Sequence, residues 1–247
     1  MSDVNRRIAA NKSLFKLQYT AEEQRRLTAV GVSLGMDEAT IQDLLYTGSR
    51  SAKRIDAAAL EQQMHNYVET VQRRGFPYKF DDATEYKKFG TALLGKVKSK
   101  FPDAEVCIQG SSLRKPEAHD IDIAVFIDKE QYAGIVKTKF MKGLSTRVAA
   151  DSDEFAAIDT SAMGYDALLA LADEVRRKKD DYLPKAVAKN FADVMTKGLI
   201  KGNQSGSPFK GMSKTLKNQF PEQEPGGISI LIKGGAFDLQ PSLKVTA

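Results

Sequence analysis

The sequence predicts an α+β fold: a small sheet flanked by helices, preceded by an α-helical N-terminal region. Three observations predict it. Between residues 20 and 75 apolar side chains recur at helical spacing, as amphipathic helices require. Strand-like β-branched runs come only later, at Val106-Cys107-Ile108, Ile121–Ile127 and Ile228–Ile232. Between them Gly75-Phe76-Pro77-Tyr78-Lys79-Phe80 breaks the helical pattern. A boundary is therefore placed there, with a helical region over 1–75 and a mixed domain over 76–247.

In chain order, residues 1–19 are polar and read as a helix or a partly ordered arm. Thr20 and Glu23 form a capping-box pattern. Leu27, Val30 and Leu34 continue that helix, and Gly35 is its stop. Asp37-Glu38 opens a second helix, expected to end at Gly48. Asp56 opens a third, whose stripe of Leu60, Met64, Tyr67, Val68 and Val71 is a core face; Gly75 ends it. The aromatic and basic residues of 75–80 read as a packed linker or, less simply, as a base-stacking platform.

Residues 82–100 form a helix with Tyr86, Phe89, Leu93, Leu94 and Val97 on one face and lysines on the other. Lys129–Lys142 is amphipathic. Residues 143–160 read as an acidic loop, with Asp151, Asp153, Glu154 and Asp159. Helices follow over 161–180, closing on Arg176-Arg177-Lys178-Lys179, and over Tyr182–Leu199. Gly198–Lys217 reads as a flexible basic loop and Gly227–Ile232 as a last strand.

Composition excludes several classes. The chain has 247 residues, one cysteine (Cys107) and two histidines (His65, His119), so neither a disulfide framework nor a cysteine- or histidine-rich metal site is expected. No run reaches the roughly 20 apolar residues of a membrane span. The N-terminus lacks the apolar segment of a signal peptide, so the chain as given reads as soluble. A net charge of +5 weakly favours a polyanionic partner.

The chemistry concentrates in EVCIQGSSLRKPEAHDIDIAVFID, Glu105–Asp128. Alternation along the strand places Asp120 and Asp122 on one face and Ile121 and Ile123 on the other. Two carboxylates about 7 Å apart on one strand face repel unless a cation lies between them, and hard divalent ions take oxygen ligands. The preceding Gly110-Ser111-Ser112 turn offers N–H groups and hydroxyls to a phosphate, with Arg114 and Lys115 in the same loop. The pattern reads as a metal–nucleotide site suited to in-line attack on phosphorus.

Gly110-Ser111 followed by Asp120 and Asp122 on a strand resembles the signature of the DNA polymerase β-like nucleotidyltransferase superfamily, firmly over 105–128 and by extension over 76–247. The resemblance implies a small mixed sheet of the nucleotidyltransferase type and transfer of an NMP from an NTP. Asp120 and Asp122 would hold two Mg²⁺ ions. Gly110 and Ser111 would hold the β- or γ-phosphate, assisted by Ser112 and Arg114. The superfamily places a third carboxylate on a neighbouring strand, but the strand Gly227–Ile232 has no acid. Asp238, beyond Gly234-Gly235, is the nearest and is expected to be the third metal ligand or the base.

Acceptors in that superfamily include RNA 3′ ends, proteins and small molecules. The basic helix, the Arg176–Lys179 run and the basic loop favour RNA, and tRNA in particular. A non-catalytic nucleotide-binding module is the alternative without turnover. Ser33–Phe80 followed by a transferase also resembles the C-terminal regions of bacterial polymorphic toxins, of contact-dependent inhibition and Rhs type. That implies export within a larger precursor, action in a target bacterium's cytoplasm and a cognate immunity protein; otherwise the enzyme is cytoplasmic.

Overall fold

A computed structural model describes residues 16–50, 54–141, 160–177, 185–239 and 242–246. The expected acidic loop and Lys178-Lys179 lie outside these residues. The architecture is α+β, a five-stranded mixed sheet flanked by helices and preceded by a helical region. Among the described residues no helix is long and apolar enough to cross a membrane.

The N-terminal helices are α1 (Ala21–Ser33), α2 (Glu38–Arg50) and α3 (Ala57–Val68). Local chemistry accounts for their starts. The Thr20 N–H donates to Glu23 Oε2 at 2.8 Å and the Glu23 N–H to Thr20 Oγ1 at 3.2 Å, completing the capping box. Asp56 caps α3 by accepting from the Ala59 N–H at 2.8 Å. The expected stop of α2 at Gly48 is wrong: the helix runs through it to Arg50. A Cβ on Gly48 would lie 2.2 Å from the Tyr19 hydroxyl, so this glycine serves close packing rather than termination. Leu27, Ile41, Leu44, Leu60 and Met64 join in one buried cluster. A π-helical turn, Glu69–Arg74, extends α3 and ends at Gly75, φ 75°.

The linker after Gly75 is packed. The Arg74 guanidinium lies 4.5 Å from the Phe76 ring centre and 5.0 Å from that of Tyr78, and Phe80 is buried. Next come α4 (Ala83–Lys98), β1 (Glu105–Gln109), a 3₁₀ turn (Ser111–Leu113), β2 (Ile121–Ile127) and α5 (Lys129–Val136). They are followed by α6 (Tyr165–Arg177), α7 (Lys185–Lys197), β3 (Leu199–Ile200), α8 (Met212–Gln219), β4 (Pro225–Ile232) and β5 (Ser242–Lys244).

The strand order is β3-β4-β2-β1-β5. β2 lies antiparallel to β1 and parallel to β4. Ile108, Ile123, Val125 and Ile230 face the main core with Phe89 and Leu93 of α4, Val136 of α5, Leu168 of α6 and Phe191 of α7. The opposite face carries a small cluster of Cys107, Ala124, Phe126 and Leu231, with Phe237 packed on it. Burial pushes the Cys107 thiol up to about 12, and the nearby Glu105 and Asp238 carboxylates add to the shift. This thiol therefore stays protonated at neutral pH, as a structural cysteine does.

Candidate active site

The site forms where β1 turns into β2. The alternation expected of β2 is present: Ile121 and Ile123 are buried, whereas Asp122 is the one exposed position of the strand. Asp122 stands opposite Gln109 of β1. Gly110, which follows, adopts φ 87° and ψ −156°, a region that glycine enters at no steric cost. A Cβ there would come within 2.2 Å of Asp122 Oδ2. The Gly-Ser turn and the second carboxylate are thus in direct apposition, and only glycine permits it.

Asp120 is half-buried at the start of β2. Across the parallel pair, Ile121 faces Pro225 and Ile123 faces Ile228, with a register shift between them. Gly226 and Gly227 together oppose Asp122, a bulge that re-aims the adjoining backbone. A Cβ on Gly226 would lie 2.6 Å from Asp120 Oδ2 and 3.1 Å from the Ile121 carbonyl oxygen. Each carboxylate is therefore backed by a glycine, one on either side of β2. For the transfer expected from the sequence, Gly226→Ala should displace the Asp120 carboxylate and lower turnover on the order of 10²-fold, the scale of an ångström-sized misplacement. Steady-state transfer kinetics beside a thermal melt will check it; an unchanged rate would mean that Asp120 is not needed where it lies.

The turn divides its residues. Ser111 remains half-buried next to Gly110, but the tight 3₁₀ geometry carries Ser112 and Leu113 into the core. The Ser112 hydroxyl is buried with no hydrogen-bond partner among the described residues, and its carbonyl accepts from the Tyr78 N–H at 3.3 Å. Arg114, expected at the phosphates, is only 6% exposed. Its Nη1 donates to Gln63 Oε1 of α3, its Nε donates to the Gly110 carbonyl at 3.4 Å, and its own carbonyl accepts from Asn66 Nδ2 at 2.8 Å. The guanidinium thus braces the turn against the N-terminal helices.

Asp238, expected as the third ligand or the base, is held by its own turn. Its carboxylate accepts from the Gly234 N–H at 2.8 Å, and its own N–H donates to the Gly235 carbonyl at 3.1 Å. Both contacts close the turn after β4. Among the described residues no three His, Cys, Asp or Glu side chains form a metal-binding group. Asp120 and Asp122 alone still fit magnesium, which takes one or two carboxylates and completes its shell with waters and substrate phosphates.

Sequence reasoning passed over four residues around this site: Gln63 and Asn66, which hold Arg114; Gly226; and Glu224. Glu224 directly precedes β4, and its carbonyl accepts from the Ile121 N–H at 3.3 Å. Its φ of 44° is the one positive value at a non-glycine among the described residues, and its carboxylate pairs with Lys79 at 3.3 Å and Lys217 at 3.9 Å. An acid just before Pro225-Gly226-Gly227 was the available signal. Gln63 and Asn66 gave none, since a glutamine and an asparagine on a helix look alike whether they face solvent or a neighbouring loop. Comparison of the chain with protein-family models, curated proteins and solved structures gave no match.

Proposed function

We propose that this protein is a metal-dependent nucleotidyltransferase that moves an NMP from an NTP to an RNA hydroxyl, with tRNA the favoured acceptor. The observation that carries the reading is the apposition of Gly110 and Asp122, whose contact leaves no room for a Cβ. It supports reading the Gly110-Ser111 turn as a phosphate cradle for the strand that bears the sequence Asp120-Ile121-Asp122. Asp120 and Asp122 would hold magnesium, and the chemistry it supplies when bound is polarisation of the phosphoryl oxygens and of the acceptor hydroxyl. Gly110 and Ser111 bind and orient the triphosphate through N–H groups and a hydroxyl. The acceptor oxygen bonds to the α-phosphorus, the bond to pyrophosphate breaks, and the hydroxyl proton leaves to a carboxylate or to water.

The test is transfer of label from each α-³²P nucleoside triphosphate into total bacterial RNA and protein, with the Asp120→Ala/Asp122→Ala protein as control. Label in an RNA band that vanishes in the control is the expected result. Label in protein would redirect the reading to protein nucleotidylation. A role as the exported toxin part of a larger precursor, restrained by an immunity protein, rests on the resemblance of Ser33–Phe80 to toxin regions; growth arrest on expression, relieved by Asp120→Ala, tests it. One observation favours a second reading, a nucleotide-binding module without turnover: Asp238 is engaged by Gly234 and does not complete a three-acid group. NTP binding with no label transfer to any acceptor would establish that alternative.

A further inference from the structure

The segment Gly198–Lys217, expected as a flexible basic loop, is anchored. Phe209 is buried and stacks edge-on against Phe101 at 5.7 Å. Ser207 is buried, and its hydroxyl accepts from the Phe209 N–H at 3.2 Å. The Lys100 ammonium donates to the Pro208 carbonyl at 2.7 Å, fastening this segment to the end of α4. From there α8 runs back along α4. Phe220 meets Phe89 at 5.2 Å, and Gln223 Nε2 donates to Glu85 Oε1 at 2.6 Å at the other end. The segment from Pro208 to Gln223 therefore runs antiparallel to α4.

Where α4 ends and α8 begins, an open cleft of about 460 Å³ is lined by Lys96, Lys100 and Lys210, with Pro208, Gly211 and Thr215, and by no carboxylate. Lys214 and Lys217 continue the positive charge, exposed along α8. Lys217 reaches Glu224, next to the strand end that carries Asp120. The eight residues of α8 span on the order of 12 Å. Lys96, Lys100 and Lys210 face one cleft with no acid among its lining residues, and like charges so placed repel one another. A chain of phosphates relieves that repulsion at every step.

We propose that this cleft and the exposed side of α8 form the docking track for the acceptor RNA backbone, leading it toward Asp120 and Asp122. The inference rests on the RNA-acceptor reading above and adds the surface that would make RNA the acceptor. The contacts are to phosphate, so they position the strand without reading its sequence.

The experiment measures binding of fluorescein-labelled bacterial tRNA by anisotropy, without NTP or magnesium, across a salt series. The full chain is compared with Lys96→Gln/Lys210→Gln/Lys214→Gln, which leaves the Lys100 anchor in place. A control, Lys129→Gln/Lys189→Gln/Lys197→Gln, removes equal charge from other exposed positions; thermal melts confirm folding. The cleft variant should bind about tenfold or more weaker, with its log–log salt slope shallower by roughly 2, as loss of three phosphate contacts implies. The control should bind like the unmodified chain. Equal weakening in both variants, or in neither, would overturn the track. Localised binding without label transfer would retain the track and remove the catalytic reading, so the two can fail separately.

Discussion

Replacing Asp122 by alanine should lower nucleotidyl transfer on the order of 10²–10³-fold, the cost of losing one preorganised electrostatic group at a reacting phosphate. Stability should change far less, by about 1 kcal/mol or under, because substitutions of exposed side chains usually cost little. The side chain meets the Gly110 backbone but stands at the one exposed position of an otherwise buried strand. Label transfer and urea unfolding on the same preparation will separate the two effects. A variant that keeps full transfer would sink the assignment of this strand to catalysis. An inactive variant that has also lost several kcal/mol would instead mark Asp122 as a folding residue.

Arg114→Ala should do the reverse. It should cost about 2–4 kcal/mol of stability, since hydrogen bonds from a buried charged group are worth roughly 1.5–3 kcal/mol each and their loss strands the partners. The stranded acceptor is Gln63 Oε1, on a side chain only 4% exposed. Arg114→Lys should not restore the loss, because a single ammonium cannot donate to Gln63 and the Gly110 carbonyl in the geometry of a planar guanidinium. A double-mutant cycle with Gln63→Ala should show non-additivity of about 1–3 kcal/mol. Urea unfolding together with the KM for NTP is the measurement. Unchanged stability with a raised KM would return Arg114 to the phosphates, where the sequence alone had put it. The expected outcome makes Arg114 a positioning residue, through which the helical region holds the Gly110-Ser111 turn.

The readable part of this protein is local. Capping at Thr20 and Asp56, the stripes of α3 and α4, and the alternation of β2 depend on residues within a turn or two of each other. The Gly-Ser turn before Asp120 and Asp122 was legible for the same reason. The short strands β3 and β5 had no comparable signal: Leu199–Ile200 and Ser242–Lys244 are too brief to show a period and become strands because β4 and β1 offer them edges.

The assignments of Arg114, Ser112 and Asp238 depended on where their side chains turn. Periodicity along one segment does not encode that. A 3₁₀ turn sends Ser112 inward, Gln63 claims Arg114 from 51 residues away, and Gly234 claims Asp238 within its own turn. Most helices, the strands β1, β2 and β4, the α+β class and the candidate turn-and-carboxylate motif are legible in the sequence, because backbone hydrogen bonding and the burial of one face act over a few residues. The strand order, the glycine backing each carboxylate and the partner of the buried guanidinium come from long-range packing. Those follow from which distant segments can close a shared core and satisfy each other's buried polar groups.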